Sequence, residues 1–308
     1  MMLQRVVISG GSGFVGSAIV KRLAEAGVTA IVPTRKLSRA SHLAPQAGVE
    51  VVEADIHDPE ALGRLLEGAD ALVNLVGVLH SRSGKPYGED FARAHVELPR
   101  KLVTACQQQQ VPRLIHISAL GAGTDGPSEY QRSKADGEAA IREAGDSPAW
   151  TILRPSVIFG PGDSFLNLFA WLARLFPALP LAGANARFQP VYVGDVAEVV
   201  WRCLNQPEAT GKTYELAGPN IYTLRQLVEY VCRLINKRRL VIPLPDALGM
   251  VQAGTMELLP NPLMSRDNIR SMRRDNVATA EPLPFCMEPT ALESIAPEYI
   301  GRGQGAKG

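Results

Sequence analysis

Through the first half of the chain, short runs of consecutive apolar residues alternate with longer stretches whose apolar positions recur every three or four residues. The runs Arg5–Ser9, Ala30–Pro33, Val49–Glu53, Ala71–Val76, Leu114–Ser118 and Thr151–Arg154 have the length and β-branched content of strands buried on both faces. Between them, Gly16–Ala26 places Ile19, Val20 and Leu23 on one side of a helix, and Pro59–Glu67 follows a capping Asp58. Phe91–Gln109 and Glu129–Glu143 read as two further helices. Strand and helix in alternation predict right-handed βαβ units. The expected fold is therefore α/β: a Rossmann-type, doubly wound parallel sheet with a smaller C-terminal substrate lobe. After about residue 160 the alternation loosens, and Pro and Gly become frequent. Residues 1–160 are read as the first domain. Residues 161–300 are read as mainly a substrate or partner lobe, with segments returning to the first domain. Its strand candidates are Pro190–Val193, Thr213–Leu216 and Leu240–Pro243. The Gly-rich stretch 301–308 is read as a disordered tail.

Composition narrows the classes of function. A chain of 308 residues, 46% hydrophobic and 20% charged, can bury a sizeable core. Its formal net charge of +1 gives no general attraction to nucleic acid, and no nucleic-acid partner is expected. Cys106, Cys203, Cys232 and Cys286 stand at neither metal-ligand nor redox-motif spacing. They are expected to be free thiols of a reducing, cytoplasmic compartment, and no metal site is expected. The first strand begins too early for a preceding leader. Phe165–Leu181 is almost wholly apolar, but Arg174, Pro177 and Pro180 interrupt it well short of the roughly 20 residues a spanning helix needs. A peripheral membrane contact stays open. From Leu224 to Arg274 there are nine Lys/Arg against four Asp/Glu. Such a stretch is ordinarily a solvated face, and a basic docking surface is the alternative.

The most specific motif is Gly10-Gly11-Ser12-Gly13-Phe14-Val15-Gly16, lying between the first strand and the first helix. Gly10 permits the tight turn, Gly13 lets backbone approach a pyrophosphate, and Gly16 lets the helix pack close to the sheet. Ser12, Phe14 and Val15 complete the loop, and the helix start offers N–H groups and the positive dipole end to phosphates. Residues 1–160 thus become a dinucleotide-binding domain. At the end of the second strand an NAD site usually carries a carboxylate for the ribose 2′-hydroxyl. Here the chain reads Pro33-Thr34-Arg35-Lys36, with Arg39 close behind. A guanidinium grips a 2′-phosphate bidentately, so NADPH/NADP⁺ is expected over NADH, with Arg35 as its reader. Lys36 and Arg39 read equally well as solvated surface charge. Asp55 and Ile56 end the third strand, where a carboxylate can accept from the adenine amino group. Leu75 and Gly77 end the fourth, where the adenosine ribose would approach the backbone.

Tyr130 and Lys134 are four residues apart, on one face of a helix. The ammonium is expected to favour the phenolate, so that the phenol can trade a proton with a substrate hydroxyl or carbonyl. Lys134 can also hold the nicotinamide ribose. Ser118, at the end of the fifth strand, is the third catalytic candidate, with a capping or core hydroxyl as the plainer reading.

With these motifs, and with Asn74-Leu75-Val76-Gly77 and Arg154-Pro155-Ser156-Val157-Ile158-Phe159-Gly160, the chain resembles the extended and atypical short-chain dehydrogenase/reductase superfamily. Further stretches, Gly162–Asn167, Phe188–Ala197, Tyr214–Pro219 and Arg266-Asp267-Asn268, resemble the NAD-dependent epimerase/dehydratase-like branch that contains the nucleotide-binding accessory subunit of respiratory complex I. The resemblance implies that Pro155 and Val157 lie beside the nicotinamide and that NADPH is the nucleotide. Two departures stand out. Epimerases of the superfamily carry a Ser/Thr cluster after the fifth strand, whereas this chain has Ser118-Ala119-Leu120-Gly121, with Leu120 where a catalytic hydroxyl is usual. Such enzymes often have Asn where His95 stands, and His95 reads as a packed helix residue. The expected function is an oxidoreductase or epimerase/dehydratase acting on an apolar or ring-bearing, quinone-like small molecule. The alternative is a non-catalytic, NADPH-stabilised binding or assembly subunit. Phe165, Leu168, Phe169, Trp171, Leu172, Leu175 and Phe176 form a broad apolar surface. It reads as core cover or, more sharply, as a face for a quinone, a lipid or a membrane-bound subunit. Arg187 and Gln189 are candidates for the mouth of a cleft.

Overall fold

The computed structural model describes residues 3–259 and 262–301. In chain order it begins β1 (Arg5–Ser9), α1 (Phe14–Glu25), β2 (Thr29–Thr34), β3 (Val49–Glu53), α2 (Pro59–Leu66) and β4 (Ala71–Asn74). It continues with α3 (Glu89–Phe91), a π-helical stretch Ala92–Glu97, α4 (Leu98–Gln108), β5 (Arg113–Ile117), α5 (Glu129–Arg142) and β6 (Ala149–Pro155). Next come β7 (Ile158–Phe159), α6 (Phe165–Leu175), β8 (Ala178–Ala182), β9 (Arg187–Phe188), β10 (Val191–Tyr192) and α7 (Val193–Asn205). The remainder is β11 (Lys212–Leu216), β12 (Tyr222–Thr223), α8 (Leu224–Leu234), β13 (Leu240–Leu244), α9 (Asp246–Met256), α10 (Arg266–Ser271) and α11 (Leu292–Ile300). Two compact units result. One comprises the residues up to Thr124, Glu129–Arg154 and Gly194–Tyr214; the other comprises Asp125–Ser128, Pro155–Val193 and the residues from Glu215 on. All but the first residue of the expected tail lies outside the described residues.

The first unit is built on a seven-stranded sheet of order β11-β6-β5-β4-β1-β2-β3, the doubly wound arrangement. Strand residues alternate between its faces. Val7, Ile31, Leu72, Leu114 and Ile152 pack with Leu62 and Leu66 of α2, Leu98 and Leu102 of α4 and Ile141 of α5. Val6 and Ile8 alternate to the opposite face. That face is covered by α1 and α7, which the Arg22–Glu198 ion pair joins at 2.8 Å. Burying one such aliphatic side chain stabilises by about 1.5–3 kcal/mol, so the two layers hold the sheet flat against its helices. Strand order reverses between β1 and β4, the switch point at which such sheets bind ligands. Thr213–Leu216, read as a strand of the second lobe, instead falls within β11 on the edge of the large sheet.

The helix expected over Phe91–Gln109 is not uniform, because its first part over Ala92–Glu97 is π-helical. The cause is Pro99: it has no N–H to give the carbonyl of His95, so the α-helical ladder changes register there.

The second unit is centred on Phe159, Leu166, Phe169, Leu227, Val231 and Leu292, which join α6, α8 and α11. Short two-stranded pairs, β10–β7, β12–β9 and β13–β8, edge this core. α8 opens with a reciprocal cap between Thr223 and Gln226. Among the described residues no helix is long and apolar enough to cross a membrane, and no cluster of residues could hold a metal ion. All four cysteines are unpaired.

Candidate functional site

The glycine-rich turn leaves β1 at the switch point. Gly10 adopts φ +81°, and Leu75 lies 3.3 Å from where a Cβ would sit, so the position excludes a side chain on both counts. At Gly16 a Cβ would overlap the carbonyl oxygen of Gly10 and the backbone of Gly11. The loop and the first turn of α1 therefore touch backbone to backbone. Gly13 is the N-cap; no side chain caps the helix and no acidic residue stands in its first turn. The helix start, with Phe14, Val15 and Gly16 as its first residues and Ser12 in the turn before it, is thus left for an anion. This cradle fits the pyrophosphate of a dinucleotide.

The other nucleotide candidates lie at the carboxyl ends of neighbouring strands. Arg35 follows β2 and is exposed. Asp55 and Ile56 follow β3; the Asp55 carboxylate accepts from the His57 N–H at 3.0 Å. Lys101 donates to the His57 carbonyl at 3.1 Å. The His57 imidazole is held below its ordinary pKa by burial, then by the charges of Arg93, Lys101 and Arg35, with Asp55 opposing. Cations therefore gather at the ends of β2 and β3. Leu75 and Gly77 follow β4, and a Cβ on Gly77 would come within 3.1 Å of Lys134 Nζ. Pro155 closes β6, but Pro155 and Val157 belong to the second unit, where the Val157 N–H donates to Asn276 Oδ1.

Around Tyr130 a buried polar chain runs from strand to helix. The Val78 N–H donates to His95 Nε2 at 3.0 Å, and His95 Nδ1 meets Ser133 Oγ at 2.9 Å. Ser133 Oγ donates to the Tyr130 carbonyl at 2.9 Å. The backbone donor leaves Nε2 as acceptor, so the ring is neutral with its proton on Nδ1. Burial, and then the positive Lys134, push the His95 pKa down to about 2. The plainer reading of His95, as a packed helix residue, is the one the structure favours. Its ring also stacks on Phe91 at 5.4 Å and meets Tyr130 edge-on at 5.5 Å. The π-helical stretch is pressed against α5 at Gly137, where a Cβ would overlap the His95 carbonyl.

A second chain lies under β4 and β5. Ser9 Oγ donates to Asn74 Oδ1 at 2.9 Å, and Asn74 Nδ2 donates to His116 Nδ1 at 3.0 Å. Burial and the charges of Lys134 and Arg142 push His116 down to about 3. Lys134 itself is buried; its ammonium donates to the Ile117 carbonyl at 3.3 Å, and burial lowers it to about 8. Its Nζ lies 6.0 Å from the Tyr130 ring centroid. The Tyr130 phenol, expected to be lowered by the ammonium, is instead raised to about 12 by burial. Ser118 Oγ is buried with no hydrogen-bond partner among the described residues. Leu120, two residues on, is buried.

Sequence reasoning did not find Ser133, Asn74 and His116 as members of this site. The available signals were Pro99 inside a helical pattern and Gly137 on the Tyr–Lys helix. Glu129 was also missed: its carboxylate takes the N–H groups of Gly84 (3.1 Å) and Gly88 (2.9 Å), which fastens the preceding loop to the helix of Tyr130. Arg187 and Gln189 do not act as free cleft residues. Arg187 pairs with Asp275 at 2.7 Å, and Gln189 bonds the Gly218 carbonyl and the Ala278 N–H.

Known proteins place this geometry. The chain is 31% identical over 306 residues to the mitochondrial NADH dehydrogenase [ubiquinone] 1 alpha subcomplex subunit 9 of Mus musculus, covering 96% of this chain and 79% of that protein. It is 31% identical over 258 residues to the ceramide reductase of Caulobacter vibrioides, covering 82% and 76% respectively. A UDP-glucuronic acid 4-epimerase from Bacillus cereus, solved with UDP-glucuronic acid and NAD, shares the fold with a TM-score of 0.68 at 17% identity, over 78% of this chain and 86% of that one. The profile of one family matches residues 6–217, the span that holds both the glycine turn and the Tyr130–Lys134 helix. The chain belongs to the NAD dependent epimerase/dehydratase family.

Proposed function

We propose that this protein is an NADPH-dependent oxidoreductase or epimerase/dehydratase-like enzyme acting on an apolar or ring-bearing small molecule. The carrying observation is that Lys134, close to the Tyr130 ring, faces Gly77 after β4, the strand that lies between β1 with its glycine turn and β5 with the unpartnered Ser118 hydroxyl after it. A nicotinamide nucleotide held at the glycine turn would supply or accept the hydride. Lys134 holds a positive charge near the Tyr130 ring and faces Gly77, the expected place of a ribose. Tyr130 gives or takes the proton at the substrate oxygen. Tyr130 carries its proton in the free protein, the state that carbonyl reduction requires of the donor. Ser118 Oγ supplies a hydrogen bond to the same oxygen. Arg35, with Arg93 and Lys101 close to the β2 and β3 ends, favours a 2′-phosphorylated cofactor. The ceramide reductase relative supports an apolar substrate. If the reading holds, Tyr130→Phe abolishes NADPH oxidation across a carbonyl and quinone panel on which the wild type is active. Unchanged turnover in that variant rejects it.

A second reading is favoured by Leu120, which offers no hydroxyl, and by the likeness to a complex I subunit along 96% of the chain. In it the nucleotide holds the fold of a binding or assembly subunit that contacts a membrane complex. NADPH then raises the unfolding temperature, while no substrate of the panel draws electrons from it.

A further inference from the structure

The second unit exposes large apolar side chains that its own core does not use. At the end of α6, Trp171 is 50% exposed, and Leu175 and Phe176 are exposed beside it. β8 follows at once. In the β8–β13 pair Leu179, Leu181 and Val241 point into the core, so the alternate positions point outward. Leu240 opposite Ala178 and Ile242 opposite Pro180 occupy that outer face, with Leu240 64% exposed. α9 lies along β8, where Gln252 reaches the Pro180 carbonyl. Its side away from the buried Gly249 and Ala253 shows Leu248 and Val251, and Leu258 just beyond the helix is 85% exposed. Ala182 packs with Ala253, so α9 shares the outer side of the strand pair with Leu240 and Ile242, and a bond from Arg239 to the Ala173 carbonyl sets the end of α6 beside the start of β13. Monomeric proteins rarely leave so extended an apolar patch uncovered.

Its charge identifies what covers it. The connection into β13 is Lys237-Arg238-Arg239, tied to the end of α6 by a 2.6 Å bond from Arg239 Nε to the Ala173 carbonyl. Arg174, at the same end of α6, is exposed and donates to the Ile300 carbonyl at 3.2 Å. Lys237 and Arg238 are exposed and in no ion pair among the described residues. Of the two acids of this segment, Glu257 is paired with Arg266 at 2.8 Å, and the exposed Asp246 lies 3.9 Å from Arg273. A second copy would bring the same unneutralised cations. An anionic lipid surface complements both features: hydrocarbon for Leu, Val, Phe and Trp, and headgroup phosphates for Lys and Arg.

We infer that the α6–β8–β13–α9 face docks this protein peripherally on an anionic bilayer. The inference is independent of the nucleotide reading, since all its residues belong to the second unit. The test is co-sedimentation of the full chain with phosphatidylcholine vesicles, with and without phosphatidylglycerol. Binding is expected on the anionic vesicles and not on the neutral ones. Lys237→Ala with Arg238→Ala weakens it on the order of thirtyfold. Val251→Asp with Leu258→Asp also weakens it, while thermal unfolding reports that both variants remain folded. In the wild type, Trp171 fluorescence shifts blue and is quenched by brominated lipid, and Trp171→Phe loses that signal. The inference is overturned by an absence of sedimentation, by equal binding to neutral vesicles, or by binding that the variants leave untouched. It is equally overturned if wild type self-associates without lipid and Val251→Asp with Leu258→Asp dissolves the assembly, since the face then belongs to a second copy.

Discussion

Acid should unfold this protein through two particular imidazoles. His95 and His116 are each about 1% exposed and hydrogen-bonded in their neutral forms. Burial is the first cause of both shifts, from 6.5 down to about 2 and about 3. Between 6.5 and those values the unfolded chain binds protons that the folded chain refuses, so stability falls as pH falls through that window. At pH 5 a free imidazole of pKa 6.5 gains about 2 kcal/mol from protonation, and two give about 4 kcal/mol. Both folded-state values lie below 5, so the whole loss is reached there. Set against a typical 5–15 kcal/mol of total stability, it is large. Urea unfolding at pH 7 and pH 5 measures it. A double variant, His95→Gln with His116→Asn, keeps an acceptor for the Val78 N–H and for Asn74 while removing both titrations. Wild type should lose about 4 kcal/mol more than this variant between the two pH values. Parallel pH dependences would show that the native state accepts these protons, and the description of the site as dry and neutral would be wrong.

Gly16→Ala places a methyl against the Gly10 carbonyl; it should cost about 1–3 kcal/mol in urea unfolding and remove the NADPH-induced rise in melting temperature. Glu138 is fully buried and bonds Arg154 twice (2.7 and 2.6 Å) and Arg142 once (2.8 Å). Glu138→Gln leaves two guanidinium groups without their counter-charge and should destabilise by about 3 kcal/mol in the same assay. A loss under 1 kcal/mol would mean that solvent already screens both arginines.

The alternation of strand and helix and the glycine turn were legible because both are local. A strand reports itself by consecutive apolar residues, and Gly10 by a turn that tolerates no side chain. The spacing of Tyr130 and Lys134 was equally legible, since one helical turn brings them together. The protonation of Tyr130 was not. It depends on how much of the ring is buried, and burial is set by Phe91 and His95 on another helix. The His95–Ser133 contact spans 38 residues and the Asn74–His116 contact 42, separations that leave no periodic trace. The π-helical stretch did leave one, Pro99, but a proline near a helix start is also an ordinary opening residue. β11 escaped because its apolar pattern is the same whether it joins a small sheet or the edge of a large one.

In the function we propose, the glycine turn and Arg35 together hold a 2′-phosphorylated nicotinamide dinucleotide. Calorimetric titration of wild type and Arg35→Ala with NADPH, NADP⁺ and NADH tests it most directly. Wild type is expected to bind NADPH at least about tenfold more tightly than NADH, as for one charge-assisted bidentate contact, and Arg35→Ala to lose the difference. Tighter binding of NADH than of NADPH by the wild type would contradict it.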